Sequence, residues 1–427
     1  MNASSKAAQD VSALMDTMGR AARKSASALR LSTAQMRNGA ISHAANLIDG
    51  RSDEILAANQ KDMANGRDKG LTDAKLDRLL LTPDRLSAIA ESLRAISTMP
   101  DVVGEVITTL TPKSGLVIER VRIPIGTIGI IFESRPNVTA DAGALCIKSG
   151  NAAILRGGSE SFHSSIALHA CLIEGLREAG LPGDAVQYVE TTDRAAVGAM
   201  LSGLKGSIDV IIPRGGKSLV SRVETEARVP VLSHLDGICH VYIDKEADPA
   251  MAMEIAMNAK MRRTGVCGAA ETLLIHKDFP ADQTKSILAA LDEAGCQIRG
   301  DTAICSLHDR AVPATKDDWD TEYLDAILSV AQIDSLDQAL AHIDAHSSGH
   351  TEAIVTNDAK TAERFLNEVD SAIVIHNAST QYADGGEFGL GAEIGIATGR
   401  LHARGPVGAE GLTTYKYRVR GEGQARP

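Results

Sequence analysis

The stretch that decides the fold is residues 127–160, TIGIIFESRPNVTADAGALCIKSGNAAILRGGSE. It opens with a short apolar, β-rich run and continues through small and apolar residues at helical spacing. It then returns to a second apolar run that ends at Arg156. A strand, a helix and a strand at this spacing predict two parallel strands joined by a crossover helix.

The same alternation continues along most of the chain. Up to about residue 238, the runs AVQYVE, DVIIPRG and VPVLS alternate with helical patterns. A second set follows, with the runs CHVYID, ETLLIH, ILSVAQID, EAIVT and SAIVIH. Because such alternation is typical of parallel sheets with helices on both faces, we predict an α/β protein with two Rossmann-like parallel-sheet domains. The boundary is expected near residues 238–242.

The remaining segments differ in pattern. Residues 8–100 carry apolar side chains at helical spacing, and residues 114–126 alternate like a hairpin arm with one solvated face. The stretch LTTYKYRVRG (412–421) is strand-like, but no partner for it is evident in its own subunit. Residues 421–427 are predicted to be a disordered tail.

Composition and charge exclude several classes of protein. The chain has 427 residues and a formal net charge of -11, which argues against nucleic-acid and membrane partners. Its six cysteines form no CxxC pair, so neither a zinc cluster nor a redox dithiol is encoded. The histidines form no HExxH motif, and no metal site is predicted. With no apolar leader or membrane-length run, a cytoplasmic location is expected.

Cys267 is the strongest candidate for a nucleophile. It lies between two glycines in RRTGVCGAAETLLIH (262–276), where a helical pattern gives way to a strand-like run. Arg262 and Arg263 are candidates to favour the thiolate, which is the reactive form, or to anchor an anionic substrate. The alternatives are a buried hydrophobic cysteine and a solvated helix end.

Asn137, in SRPNVT (134–139), lies where the strand-like run TIGIIFE gives way to a helix. Its side-chain amide suits an oxyanion, although a helix N-cap is the commoner use of such an asparagine. The residue pattern alone leaves both interpretations open.

The turn RGGSE (156–160) suits phosphate, because amides at a helix N-terminus attract anions. A plain strand-to-helix turn is the alternative. The segment PRGGKS (213–218) is not a P-loop, since Ile211 stands where the first glycine of that motif is required. The segment GLGAEIG (389–395) likewise misses the GxGxxG fingerprint, because Ile394 stands where its third glycine is required, so a dinucleotide would need a variant mode of binding.

The most specific stretches of the chain are residues 131–160, MRRTGVCGAAETLLIH (261–276), HIDAHSSGHTEAIVT (342–356) and EFGLGAEIGIATGRLHARGPVGAEGLT (387–413). With them the chain resembles the aldehyde dehydrogenase superfamily over nearly its whole length. Within that superfamily it is most similar to the reductases of acyl phosphates.

The resemblance implies an aldehyde dehydrogenase-like domain plan. Residues 1–107 and 127–238 would form an NADPH-binding domain, and residues 239–378 a catalytic domain with the Cys267 loop. Residues 108–126 and 400–420 would form a β-hairpin oligomerisation arm, which implies a homo-oligomer.

The resemblance also assigns roles to single residues. Cys267 matches the nucleophile and Asn137 the oxyanion amide. The cofactor residues it implies are Arg156, Gly157, Gly158 and Ser159 for the adenosine ribose or its phosphate, Arg214 and Gly215 for the pyrophosphate, and Glu322 for the nicotinamide ribose. Basic candidates for substrate binding are Arg135, Lys148, Arg262 and Arg263.

One departure from the superfamily is informative. Oxidising members place a glutamate general base in an ELGG-like motif, and here that segment reads Ser233-His234-Leu235-Asp236-Gly237. His234 therefore occupies the position of the base. Its presence suits a reductase, because hydrolysing a thioester would waste an acyl phosphate.

The resemblance thus implies NADPH-dependent reduction of L-glutamate 5-phosphate to L-glutamate 5-semialdehyde through a cysteine thioester. This is the second step of proline biosynthesis, and it implies functional pairing with glutamate 5-kinase. The alternatives are a hydrolytic aldehyde dehydrogenase acting on another aldehyde, a phosphotransferase using PRGGKS, and a non-catalytic scaffold.

Overall fold

The computed structural model describes residues 3–426, with side chains for residues 10–73 and 75–426. The chain divides into two compact units. The first comprises residues through Ser233, residues 389–395 and residues from Val407 onward. The second comprises residues 234–388 and 396–406.

Five helices open the first unit, which confirms the prediction from the spacing of residues 8–100. They are α1 (Ala3–Leu31), α2 (Ala34–Gly50), α3 (Ser52–Asp68), α4 (Asp73–Leu79) and α5 (Pro83–Thr98). The side chains of Thr33 and Thr82 accept hydrogen bonds from the first-turn amides of α2 and α5. These bonds satisfy donors that have no partner inside the helix. No helix among the described residues combines the length and the apolar character of a membrane span.

A hairpin and a parallel sheet follow in the first unit. The strands are β1 (Val106–Leu110), β2 (Val117–Pro124), β3 (Thr127–Phe132), β4 (Ala152–Arg156), β5 (Val186–Tyr188) and β6 (Val210–Arg214). The antiparallel hairpin pairs β1 with β2, and the parallel sheet has the order β5-β4-β3-β6. Every residue of β3 and β4 is buried, as expected of strands covered on both faces. The intervening helices are α6 (Asn137–Lys148), α7 (Phe162–Glu178), α8 (Arg194–Leu201) and α9 (Lys217–Glu226).

The strand predicted in VPVLS does not form. Val231 makes only an isolated bridge with Ile211. Pro230 precedes it and has no amide hydrogen to donate, which limits any longer ladder.

The second unit is built on seven strands in the order β10-β9-β11-β8-β7-β12-β13, all parallel. They are β7 (Cys239–Ile243), β8 (Ala270–His276), β9 (Gln297–Gly300), β10 (Val312–Pro313), β11 (Ile327–Ile333), β12 (Thr351–Val355) and β13 (Ile373–His376). Strands β9 and β10 were not predicted, because runs this short show no recognisable alternation of apolar and polar residues.

Five helices accompany this sheet: α10 (Pro249–Met261), α11 (Ala281–Glu293), α12 (Thr302–Leu307), α13 (Leu336–His346) and α14 (Ala359–Glu368). A small antiparallel pair completes the second unit, formed by β14 (Ile396–Ala397) and β15 (Gly405–Pro406).

The last strand, β16 (Thr413–Arg420), pairs antiparallel with β2 along its whole length. The pairing joins the two segments of the predicted arm, residues 108–126 and 400–420, within one subunit, so the expectation that this stretch lacks a partner there is wrong. The error arose because a pairing partner almost 300 residues distant leaves no local pattern in the sequence. Residues 421–426 form no helix or strand and are exposed, while Pro427, the end of the predicted tail, lies outside the described residues.

Candidate active site

The amino-terminal edge of the seven-stranded sheet gathers the first set of candidate residues. Strands β11, β8, β7 and β12 are successive neighbours and run parallel, so the segments that precede them reach the same edge. Those segments carry, in strand order, Glu322, Cys267, His234 and His350. Parallel pairing thus collects side chains that are far apart in the sequence.

Cys267 is half-buried in the loop between α10 and β8. Its side chain packs against a small apolar cluster that includes Ile396. Its backbone carbonyl accepts a hydrogen bond from the Cys239 thiol, with 3.1 Å between sulfur and oxygen. A Cβ atom at Gly237 would come within 2.2 Å of the same carbonyl oxygen, so only glycine fits there. Backbone contacts therefore hold this loop, while the cysteine stays partly exposed.

His234 and His350 place their imidazoles beside this thiol. One nitrogen of each ring and the Sγ of Cys267 all lie within 4.8 Å of one another. The Nδ1 of His234 is 2.6 Å from the carbonyl oxygen of Ile396, and because a carbonyl only accepts, this nitrogen carries the proton. The Nδ1 of His350 lies 2.8 Å from Thr351 Oγ1. The Nε2 of this fully buried ring has no hydrogen-bond partner among the described residues.

The sequence prediction omits His350. Two signals for it exist: His342, His346 and His350 recur at four-residue spacing, and His350 directly precedes a buried strand. The expectation of no metal site, which relied on the absence of an HExxH motif, overlooked the first signal. The sequence could not show that His350 lies beside Cys267, because this proximity depends on the order of the strands.

A buried ion pair fixes both ends of the Cys267 loop. Lys260, in the last turn of α10, lies 2.5 Å from Glu271, the second residue of β8, measured from Nζ to Oε2. Both side chains are at most 1% exposed. Burial raises the pKa of Glu271 to about 7, while the charge of Lys260 acts in the opposite direction. The sequence prediction did not identify this pair.

The two predicted arginines of the loop lie at the end of α10, and both are exposed. The guanidinium of Arg262 donates to Gln381 Oε1 over 3.3 Å. The amide of Gln381 in turn donates to the carbonyls of Ala259 and Arg263. Gln381, which the sequence prediction missed, therefore ties the start of the loop to the rest of the unit.

Glu322 lies in the segment before β11. Its Oε1 accepts a hydrogen bond from the backbone amide of Gly237 over 2.9 Å. This carboxylate thus joins the same edge as Cys267 and orders the His234–Gly237 segment.

The carboxyl-terminal edge of the four-stranded sheet in the first unit gathers the second set. Arg156 ends β4 and borders a cleft of about 590 Å³, together with Gly158 and Ser159. This is the edge at which parallel α/β sheets bind their ligands. Four basic side chains and two acidic ones line the cleft, namely Lys69, Arg156, Arg194 and Arg222, and Glu133 and Glu160. A cleft of this size and charge suits a phosphorylated ligand.

Arg156 is held in place by backbone carbonyls. It is 9% exposed, and its guanidinium donates to the carbonyls of Gly157 and Thr192. Its buried Nε has no hydrogen-bond partner among the described residues. Gly157 is required for close packing, because a Cβ there would lie 2.5 Å from Tyr188 Oη.

Two glutamates that the sequence prediction missed join the turns at this edge. Glu160 Oε1 accepts hydrogen bonds from the amide and hydroxyl of Ser134, over 2.8 and 2.9 Å. Glu133 Oε2 accepts from the amide of Gly216 over 3.1 Å. Gly215 lies against the same carboxylate, where a Cβ would come within 2.7 Å of Glu133 Oε2. The turns after β3, β4 and β6 are therefore linked by side chains.

Arg214 ends β6 and reaches the 389–395 segment of its own unit. A Cβ at Gly395 would lie 3.2 Å from its Nη1. The residue thus lies at the predicted edge, beside Gly215.

Asn137 is the first residue of α6, and the N-cap position belongs to Pro136. The N-cap interpretation of Asn137 is therefore wrong. Its Nδ2 instead donates to Asp141 Oδ2 over 3.0 Å. Burial raises the pKa of the Asp141 carboxyl to about 6, although the bond from Asn137 acts to lower it. Arg135 is half-buried in the turn just before α6.

Lys148 is not brought to either set. It lies at the other end of α6 from Asn137, about 16 Å along the helix axis, and is 1% exposed. Its ammonium donates to Asn38 Oδ1 and to the carbonyls of Ser97 and Met99. These bonds fix α6 against α2 and α5, which corrects its predicted role in substrate binding.

Comparisons with known proteins identify the family of this chain. The model of the aldehyde dehydrogenase family matches residues 3–311 and 309–393. The gamma-glutamyl phosphate reductase of Brucella suis biovar 1 (strain 1330) is 59% identical over 418 residues, which cover 98% of this chain and 99% of that protein. The enzyme of the same name from Rhodospirillum rubrum is 59% identical and covers 98% of each chain.

A solved structure gives the same result. The crystal structure of gamma-glutamyl phosphate reductase from Thermotoga maritima superposes with a TM-score of 0.94 at 42% identity. The alignment covers 97% of this chain and 100% of that one.

Proposed function

The chain belongs to the aldehyde dehydrogenase family and groups within it with the gamma-glutamyl phosphate reductases, and from that premise we propose its reaction and mechanism. It is an oxidoreductase that acts on a small molecule. It reduces L-glutamate 5-phosphate to L-glutamate 5-semialdehyde and phosphate, in proline biosynthesis from glutamate. The observation that carries this proposal is the full-length likeness to enzymes of that name.

Cys267 is the nucleophile in this proposal. Its thiolate attacks the γ-acyl carbon, a sulfur–carbon bond forms, and phosphate leaves with the electrons of the broken carbon–oxygen bond. The half-buried sulfur in a glycine-flanked loop supports this role. The Lys260–Glu271 pair holds the ends of that loop and so limits the movement of the sulfur.

Asn137 donates to the oxyanion of the tetrahedral intermediate, together with the backbone amide of Cys267. A side-chain amide has two hydrogens. The bond to Asp141 uses one of them and fixes the plane of the amide. The second hydrogen is then directed by Asp141, which acts as a positioning residue.

Family membership makes the redox partner a nicotinamide cofactor, and we assign NADPH. When bound, it supplies the hydride that takes the thioester carbon to the aldehyde level. Arg156, Gly157, Gly158 and Ser159 would hold its adenosine end, and the basic lining of the cleft supports a 2′-phosphate. The buried, unpartnered Nε of Arg156 is a donor that such an anion would satisfy.

The rest of the cofactor is assigned to residues at the same edges. Arg214 and Gly215 would hold the pyrophosphate, and Glu322 the nicotinamide ribose. The bond from the Gly237 amide to Glu322 supports a carboxylate held in one orientation.

Substrate anions are assigned to the exposed or half-buried arginines. Arg262 and Arg263 lie beside the Cys267 loop, and Arg135 precedes Asn137. Lys148 is left out of this assignment because its ammonium is buried and fully engaged.

His234 in place of a glutamate base favours a reductase over a hydrolytic dehydrogenase. An imidazole whose Nδ1–H is donated to the Ile396 carbonyl is held in one orientation. A hydrolytic member of the family would carry its glutamate base at this position to activate water against the thioester.

A homo-oligomer and a cytoplasmic setting complete the proposal. Strands β1 and β16 are the outer strands of their three-stranded sheet, and they expose Leu110, Tyr417 and Val419. Such edges favour pairing with a second copy. All six cysteines are free, which supports a reducing compartment. Functional pairing with glutamate 5-kinase would supply the acyl phosphate.

The test is phosphate dependence in the reverse direction. Purified enzyme with L-glutamate 5-semialdehyde should reduce NADP⁺ continuously only when phosphate is added. Formation of glutamate without phosphate would support the hydrolytic alternative and contradict the proposal. Binding of Mg-nucleotide with phosphoryl transfer would support the phosphotransferase alternative.

A further inference from the structure

The proposed reaction does not use the metal-binding capacity of Cys267, His234 and His350. We propose that these three side chains form a binding site for a thiophilic divalent cation, Zn²⁺ being the probe of choice, and that its occupancy reversibly inhibits the enzyme. The inhibition rests on the proposed role of Cys267 as the nucleophile. The binding of the cation does not.

The donor atoms are of the right type and nearly at the right separation. A cysteine sulfur and imidazole nitrogens are the ligands that Zn²⁺ prefers. Bonds of about 2.0–2.3 Å in a tetrahedral site place neighbouring donors roughly 3.3–3.7 Å apart. Here one nitrogen of each imidazole and the sulfur of Cys267 lie within 4.8 Å of one another. The half-buried Cys267 loop needs to move by only about 1 Å to close the site.

The surroundings of both histidines resemble those of metal ligands. The Nδ1–H of His234 is donated to the carbonyl of Ile396, so Nε2 is the nitrogen of this ring that would bind a cation. The Nδ1 of His350 lies 2.8 Å from Thr351 Oγ1 and 3.5 Å from Cys239 Sγ. Hydrogen bonds of this kind on the far nitrogen fix the ring of a ligating histidine.

An independent observation points to a ligand. His350 is fully buried, and its Nε2 has no hydrogen-bond partner among the described residues. A buried polar atom without a partner is costly and therefore rare. A cation held by His350 Nε2 would satisfy that atom.

Cys239 is close, but it is not a fourth ligand. Its thiol donates to the backbone carbonyl of Cys267 over 3.1 Å. The Cys239 sulfur also does not belong to the group of donor atoms that lie within 4.8 Å of one another. The site therefore offers three protein ligands and leaves one position to water.

The binding step is simple to balance. The Cys267 thiol releases its proton to solvent, and a sulfur–cation bond forms without any change of oxidation state. A sulfur held in this way cannot attack an acyl phosphate. Removal of the cation by a chelator restores the thiol.

The experiment measures cation binding and activity separately on the full-length, metal-free enzyme. Zn²⁺ is titrated in competition with a chromophoric chelator, and Co²⁺ is added for spectroscopy. We expect one cation per chain, a sulfur-to-cobalt charge-transfer band, and inhibition by Zn²⁺ that EDTA reverses. Cys267→Ser and His350→Asn should each weaken binding by about 100-fold or more, beyond the loss seen for outer-shell changes. Cys305→Ser, which alters the other half-buried thiol, should leave binding unchanged.

Unchanged Zn²⁺ affinity in both variants, or a cobalt spectrum without a thiolate band, overturns the inference. If the variants do not fold, the wild-type enzyme is alkylated with iodoacetamide instead. Zn²⁺ should then protect Cys267 but not Cys305. Equal alkylation of both thiols would overturn the site. An active Cys267→Ser enzyme with weakened cation binding would contradict the proposed function and leave the cation site standing.

Discussion

The two candidate edges of this molecule are built in opposite ways. In the second unit, Cys267 lies at the amino-terminal edge of a parallel sheet, half-buried and held mainly through its backbone. In the first unit, Arg156 lies at the carboxyl-terminal edge, almost fully buried and held through its guanidinium. A reacting atom must stay accessible to its substrate. A site for a charged ligand instead needs donors that are fixed before the ligand binds.

Removal of the Cys267 sulfur is the most severe test of this difference between the two edges. Cys267→Ala should lower kcat by about 10⁵-fold or more, on the scale of losing a catalytic nucleophile. NADPH affinity, which is assigned to residues other than Cys267, should stay within about threefold. Stopped-flow rates and fluorescence titration with NADPH measure the two effects, with Cys305→Ala as the matched control. Surviving turnover would show that the nucleophile is misassigned.

The second change tests the amide of Asn137. Asn137→Ala should lower kcat by about 10²–10³-fold, or roughly 3–4 kcal/mol, as expected for one lost oxyanion donor. Steady-state kinetics measures the rate, and thermal melts measure stability. A drop in stability without the loss of rate would make this side chain structural.

The third change concerns the partner of that amide. Because burial raises the pKa of Asp141 from 3.8 to about 6, the folded state disfavours its ionised form. Its contribution to stability is therefore fully present below about pH 4 and is lost as the pH rises through 6. Asp141→Asn should increase the free energy of unfolding by up to about 3 kcal/mol at pH 7.5, with no gain at pH 4. Urea denaturation at both values measures this, and an equal effect at both would contradict it.

The smallest expected effect concerns Arg156, at the edge assigned to the adenosine end of the cofactor. Arg156→Gln should weaken NADPH binding by about 10- to 100-fold, or roughly 1.5–3 kcal/mol, as expected for hydrogen bonds to a charged group. Arg222→Gln is the matched control, since this guanidinium lines the same cleft but pairs with Glu226. Equal losses in both variants would indicate general charge attraction instead of a specific contact.

The sequence predicts much of the fold because its signals are local. Buried strands such as Thr127–Phe132 are continuous apolar runs, and the helix after each has its own spacing. What the sequence lacks is long-range pairing. Strand β16 finds its partner β2 almost 300 residues earlier, and no local pattern reveals that contact.

The candidate site follows the same rule. Cys267 and Arg156 stand out by residue type and by their place beside a strand or helix. His350 and Glu160 do not, because their roles depend on which strands are neighbours and which turns meet. Lys148 was misjudged for a related reason, since a lysine near a motif looks available until its burial is known.

The most direct test of the central claim is a single turnover without phosphate. Enzyme mixed with NADP⁺ and L-glutamate 5-semialdehyde should form about one NADPH per chain and then stop, because the thioester has no acceptor. Peptide mass spectrometry should find the glutamyl group on Cys267, and added phosphate should restart turnover. Continuous NADPH formation without phosphate, or an acyl group on any other residue, would contradict the account.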